Sequence, residues 1–112
     1  MYYRYELYIG DECQEIGFLQ GLDDTGLSED VKEELIAGFY ELVIPEDIFK
    51  MGRTKSFFTE EGNAYFASAI EAVIDAYEDD GLFDVECVCI SLSQLPGAAA
   101  YVDDWQVLVW DN

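Results

Sequence analysis

The stretch from Thr59 to Gly81, "TEEGNAYFASAIEAVIDAYEDDG", most constrains what this chain can fold into. Phe66, Ile70, Val73 and Tyr77 recur at spacings of three and four, and Ala67 and Ile74 widen the stripe. That period places them on one face of an α-helix. A stripe this apolar needs a second layer to cover it, because helices of this length are marginal in water alone. Thr59 is the expected N-cap, with Glu60 and Glu61 well placed in the first turn. Gly81 is the expected left-handed C-cap. The end of the helix breaks a rule. Glu78, Asp79 and Asp80 crowd the partially negative end of the backbone dipole, where each exposed anion costs about 0.3–1 kcal/mol.

The rest of the chain supplies the cover. Residues 2–9 alternate, with Tyr3, Tyr5, Leu7 and Ile9 on one face and Tyr2, Arg4, Glu6 and Tyr8 on the other, as in a strand with one buried side. Residues 12–23 favour a short or irregular helix through Ile16, Leu19 and Leu22, although Gly17 and Gly21 weaken it; a strand pairing back onto residues 2–9 is the rival reading. "DDTG" is a loop. Ser28 then caps a second helix whose stripe is Val31, Leu35, Phe39 and Leu42, ending near Val43 before Pro45. Residues 45–58, containing "KMGRTK", are expected as an irregular connection. "FDVECVCISL" and "DWQVLVWD" read as strands forming a hairpin, joined by "SQLPGAAAYVD" with its Pro96-Gly97 turn signal, and the first strand is expected beside the last. The expected fold is a single α+β domain over residues 1–112. It is two-layer, with two long helices packed on one face of a small, mainly antiparallel sheet of about three strands.

Charge decides which functions suit such a domain. The 25 Asp and Glu face 5 Lys and Arg, a formal net charge of −20 in 112 residues. Disorder is excluded by the 51% hydrophobic and 15% aromatic content, since acidic disordered chains lack aromatics. Direct binding to nucleic acid or to an anionic membrane surface is disfavoured, and basic proteins are favoured as partners. No run approaches the roughly 20 apolar residues of a membrane span. Three cysteines, Cys13, Cys87 and Cys89, form no spaced framework and fit a reducing compartment, so a cytoplasmic protein is expected. They are expected as small core residues.

Catalytic chemistry has little to work with. The chain has no histidine, which removes the commonest general acid–base and the Ser-His and Cys-His nucleophile pairs. Phosphate-binding glycine loops and the G-x-S-x-G elbow are absent, and no acidic stretch matches a calcium loop. The expectation is a non-enzyme with no cofactor and no metal site. Lys50, Arg53 and Lys55 of "KMGRTK" are expected to relieve local repulsion rather than to grip a phosphate.

The acids themselves are patterned. Glu71, Asp75 and Glu78 lie at i, i+4 and i+7, opposite the buried stripe, and Asp79 and Asp80 extend them past the helix end. Glu29, Asp30, Glu33, Glu34 and Glu41 make a second acidic face, which the lone Lys32 does not break up. Like charges at this spacing destabilise a helix, so their persistence points to an anionic surface that is used. In size, charge and lack of catalytic residues the chain resembles the small acidic inhibitors that phages and mobile elements make against restriction and CRISPR nucleases. Those inhibitors share no fold. The resemblance implies a nucleic-acid mimic that blocks a basic nucleic-acid-binding enzyme. Independently of it, exposed aromatics of the first strand, such as Tyr2 or Tyr8, are expected as anchors beside the acids. The alternative is a non-catalytic interaction or assembly domain that docks a partner or forms a homodimer through Trp110 or Tyr8, because "DWQVLVWD" is apolar on both faces.

Self-repulsion at this charge density weakens as salt shortens the Debye length from about 30 Å at 0.01 M to about 8 Å at 0.15 M. The melting temperature is therefore expected to rise by several degrees over that range. A calorimetric scan at the two ionic strengths checks it, and a flat or falling Tm contradicts it.

Overall fold

The computed structural model describes residues 1–45, 47–48 and 53–110. The elements in chain order are β1 (Tyr2–Ile9), β2 (Glu12–Gln14), α1 (Glu29–Ala37), β3 (Thr54–Thr59), α2 (Glu60–Tyr65), α3 (Ala67–Asp80), β4 (Asp84–Ile90), β5 (Ala99–Val102) and β6 (Gln106–Trp110), with short 3-10 turns at Gln20–Asp24 and Leu92–Gln94. Among the described residues the sheet has six strands in the order β2-β1-β3-β6-β5, and β4 also pairs with β1.

The class is α+β, but the expected sheet of about three strands is wrong. Three strands were hidden. β2 occupies the start of the stretch expected as a helix, and pairs back onto β1 through Leu7–Gln14, Tyr8–Cys13 and Ile9–Glu12. β3 lies in the expected irregular connection, and β5 in the expected link. The expected hairpin of the last two strands is also wrong: β6 sits between β3 and β5, with Phe57 opposite Val107 and Val102 also opposite Val107. β3, not β6, is the neighbour of β1. The physical reason lies in β6. Gln106, Val107, Leu108 and Val109 are all buried, and a strand buried this way needs a hydrogen-bonded neighbour on each edge. The two long helices come out shorter than expected, at 9 and 14 residues. α1 stops at Ala37 rather than near Val43. The expected continuous helix from Thr59 breaks at Phe66, whose φ of −95° and ψ of 12° are not helical.

The chain divides into two compact units. The first contains Met1–Arg4, Leu42–Tyr65 and Cys89–Asn112; the second contains Tyr5–Glu41 and Phe66–Val88. In the first, Phe57, Val107 and Val109 form a core against which Tyr2, Ile90 and Leu95 pack. The β5–β6 loop is built on Asp103. Its Oδ1 accepts the backbone N–H of Trp105 at 2.8 Å and of Gln106 at 2.9 Å, and its Oδ2 accepts the Tyr101 hydroxyl at 2.9 Å. Short acidic side chains make such turns by replacing a backbone acceptor. The Gln106 amide also donates to the Val43 carbonyl.

Thr59 ties this loop to α2. Its hydroxyl donates to the Asp104 carbonyl at 2.6 Å and accepts the Gly62 N–H at 3.0 Å, which is the expected capping role. A Cβ on Gly62 would stand 2.0 Å from the Trp105 carbonyl oxygen, so that close approach requires glycine.

In the second unit the main stripe is buried as expected, but Ala67, expected to widen it, is exposed and Ile74 is half-buried. Phe66, Ile70, Val73 and Tyr77 are buried together with Leu7, Leu22, Phe39 and Phe83. The Tyr77 hydroxyl donates to the Phe18 carbonyl, and its ring meets Phe18 at 5.9 Å and Phe83 edge-on at 5.7 Å. Burial pushes the Tyr77 phenol well above the usual tyrosine range, and Asp24 and Asp23 add to the shift. Ser28 caps α1 as expected, accepting the Val31 N–H at 3.3 Å. The α1 stripe is rotated from expectation: Phe39 is buried, Val31 is exposed, and Lys32 is buried in its place.

Asp103 gives a pH prediction. Desolvation pushes its carboxyl up, but the hydrogen bonds from Trp105, Tyr101 and Gln106 outweigh it and hold the carboxyl below the usual aspartate value. Its contribution is therefore complete above the unfolded pKa of about 3.9 and is lost as pH falls through the lower folded value. Asp103→Ala is expected to cost about 1–3 kcal/mol at pH 7. Urea unfolding of parent and variant checks this, with the difference between them shrinking at pH 3 and below.

Candidate functional site

The two acidic helices lie side by side. At one end Phe39, just past α1, stacks on Phe66, just before α3, at 5.5 Å. A Cβ on Gly38 would stand 2.9 Å from the Ala69 Cβ, so glycine lets the helices approach. At the other end the Gly26 N–H, just before α1, donates to Asp80 Oδ1 at 2.9 Å. The start of α1 thus meets the end of α3, and the end of α1 meets the start of α3. The helices are antiparallel, and both belong to the second unit.

The expected site residues all lie on these two helices. Glu71, Asp75, Glu78 and Asp79 on α3 are exposed, as are Glu29, Asp30, Glu33 and Glu34 on α1. Glu29 and Asp30 open α1 at the end where Asp79 and Asp80 close α3, and the exposed Asp23 is the last-but-one residue of the neighbouring 3-10 turn.

Charge is divided unevenly between the units. The residue ranges of the first unit hold seven of the 25 acids and four of the 5 basic residues (Arg4, Lys50, Arg53 and Lys55), a net −3. The second holds the remaining eighteen acids against Lys32 alone, a net −17 of the total −20. Lys32 does little to dilute that field. It is only 8% exposed, and its Nζ stands 2.7 Å from Glu29 Oε1 and 3.9 Å from Asp23 Oδ1. The hydrogen bond to Glu29 holds the ammonium above the usual lysine range, against the opposing effect of burial.

The acids at the end of α3 are not equivalent. Gly81, at φ +82°, makes the expected left-handed cap, and its N–H donates to the Tyr77 carbonyl at 2.9 Å. Asp80 is half-buried and clasps the loop ahead of α1, which offsets its unfavourable position against the dipole. Glu78 and Asp79 remain exposed at the negative helix end, and no ion pair joins them to a cation among the described residues.

Other expected residues are placed differently. Tyr2 packs on the Phe57 core, and Tyr8 is half-buried opposite Cys13 in the β1–β2 hairpin. Burial, Glu6, Cys13 and Glu86 raise the Tyr8 phenol above its usual value. The aromatic that stands furthest into solvent among the exposed large hydrophobics is Tyr40, at 81%. Its position off the Phe39 stripe was the signal for this. The cysteines are not core residues: Cys13, Cys87 and Cys89 are exposed, because their strands turn those positions outward. Lys50 of "KMGRTK" lies outside the described residues, while Lys55 is on β3 opposite Val109. Among the described residues no group of three or more acids or thiols is arranged to hold a metal ion, and no helix is long and apolar enough to cross a membrane.

Compared with protein-family models, with curated proteins and with solved structures, the chain finds no match.

Asp79 and Asp80 separate by substitution. Asp79→Lys removes an anion from the negative helix end and is expected to stabilise by about 0.3–1 kcal/mol. Asp80→Ala loses the clasp to Gly26 and is expected to destabilise by about 0.5–1.5 kcal/mol. Chemical denaturation of the two variants beside the parent gives opposite signs if Asp80 is structural.

Proposed function

We propose that the protein is a non-catalytic, charge-driven inhibitor that mimics nucleic acid and occupies the basic groove of a nucleic-acid-binding enzyme. One observation carries the reading: two antiparallel helices present rows of exposed carboxylates in a unit of net −17, whose only lysine is turned inward. Fixed anions about 5–6 Å apart along a helix face offer Lys and Arg side chains a spacing comparable to that of successive phosphates. The scaffold is ordered before binding, so little entropy is lost in presenting them. The partner's counterions leave as they do when it binds nucleic acid, which makes the affinity steeply salt-dependent. Inhibition is then competition for a groove, and no bond is made or broken.

The assembly alternative drew on the two-faced apolar strand "DWQVLVWD". Burial of Gln106 through Val109 between β3 and β5 accounts for that pattern without an interface. This favours the mimic reading.

The test is capture of a basic nucleic-acid enzyme from lysate by the immobilised protein at low salt, followed by elution with duplex DNA. Glu71→Lys, Asp75→Lys and Glu78→Lys together are expected to reduce capture by at least about a hundredfold with the fold intact by circular dichroism. Capture by the triple variant equal to that of the parent overturns the proposal.

A further inference from the structure

The β5–β6 loop carries an aromatic pair that the first unit clamps in place and leaves open to water. Trp105, just ahead of β6, stacks on Tyr65, the last residue of α2, with ring centroids 4.6 Å apart and planes 13° apart. The loop is tied down from both sides. Asp103 Oδ1 accepts the Trp105 N–H at 2.8 Å, the Trp105 carbonyl accepts the Thr59 N–H at 3.0 Å, and Gly62 lets α2 lie against that carbonyl. The indole is thereby held before any ligand arrives. The pair is not a core contact: Tyr65 is 53% exposed although one of its faces is on Trp105, and neither residue belongs to the cluster of Phe57, Val107 and Val109. Two carboxylates flank the pair. Glu61 is exposed and lies four residues before Tyr65 on α2, so the two share a face. Asp104, next to Trp105, is exposed as well. Glu60 is not counted with them, since its Oε1 stands 3.9 Å from the N-terminal ammonium.

We propose that the exposed face of Tyr65, backed by Trp105 and flanked by Glu61 and Asp104, binds an arginine side chain of a basic partner protein. The inference rests on the charge-driven reading above for the basic character of the partner, and it assigns the first unit a contact of its own. An aromatic face attracts a cation through its ring quadrupole, and a flanking carboxylate adds to that attraction. A guanidinium suits such a site better than an ammonium. It is flat, it stacks on a ring, it is less tightly hydrated, and its N–H fork reaches a carboxylate while it lies on the ring. A pair stacked before binding loses little entropy in presenting that face.

The probes are an oligoarginine and an oligolysine of equal length, each titrated into the full chain at physiological salt. Binding is followed by the indole N–H resonance of Trp105, one of two tryptophans, which reports this site rather than the acidic helices. Oligoarginine is expected to shift that signal and to bind about threefold tighter or more. Tyr65→Leu keeps an apolar side chain on Trp105 and is expected to abolish the preference, whereas Tyr65→Phe retains it. Melting curves show whether the variants fold, and Glu61→Lys, which leaves the stacked pair in place, is expected to abolish the preference too and replaces Tyr65→Leu if that variant unfolds. Equal affinity for the two peptides, a Trp105 signal that neither peptide moves, or a preference that survives the substitution overturns the proposal. So does a Trp105 signal moved by cellopentaose and not by oligoarginine, which assigns the rings to a sugar. The two readings fail separately. Enzyme capture that is lost on the α3 reversals, with no arginine preference in the parent, rejects only the Tyr65 site. Capture that survives the α3 reversals rejects the mimic.

Discussion

Tyr77 closes the acidic unit, and much else there depends on it. It is the last residue of the α3 stripe, fully buried, with its hydroxyl given to the Phe18 carbonyl and its ring between Phe18 and Phe83. Its carbonyl also takes the Gly81 N–H, so the same residue ends the helix. A unit of net −17 cannot rely on ion pairs for cohesion, because nearly every charge has the same sign. It is held by apolar burial and by neutral hydrogen bonds, which salt and pH near neutrality leave largely untouched. Placing a tyrosine at this point joins both in one side chain.

The uneven division of charge follows from how the elements are shared out. α1, α3 and the turn that ends in Asp23 and Asp24 all belong to one unit, and of their seventeen exposed positions ten are acidic and none is basic. The other unit holds β3, β5 and β6, of which only β6 is largely buried, and Lys55 is the one charged residue in the three strands. Arg4 there donates to the Ser56 carbonyl at 3.2 Å, a structural use of a cation. Lys32 has a similar use in the acidic unit, where Glu29 and Asp23 hold it. The fold thus concentrates a field that composition alone reports only as an average. Concentration is what a charge-driven partner would sense, since screened fields reach only about a Debye length.

Legibility varied with the kind of signal. The Phe66–Tyr77 stripe was readable because an amphipathic helix writes its buried face as a period. The caps at Ser28, Thr59 and Gly81 were readable because each solves a local hydrogen-bonding problem with a characteristic residue. β5 was not readable: "AAAYV" has no alternation and little strand preference, and it is a strand only because β6 needs a second neighbour. β3 was masked by Thr54, Lys55 and Ser56, polar residues beside a basic stretch. The acidic faces were legible as helical spacing. That they sit on neighbouring antiparallel helices was not, because the contacts that set this, Phe39 with Phe66 and Gly26 with Asp80, join residues far apart in the chain.

By itself the sequence determined the strongly negative charge, the absence of histidine chemistry, the buried stripe of α3 and the caps that bound its helices, since each depends on residue type or near neighbours alone. The tertiary structure decided the number of strands, the break at Phe66, the inward turn of Lys32, the outward turn of Tyr40 and the double duty of Asp80. Each of those is settled by which distant segment lies alongside, and local spacing carries no record of that.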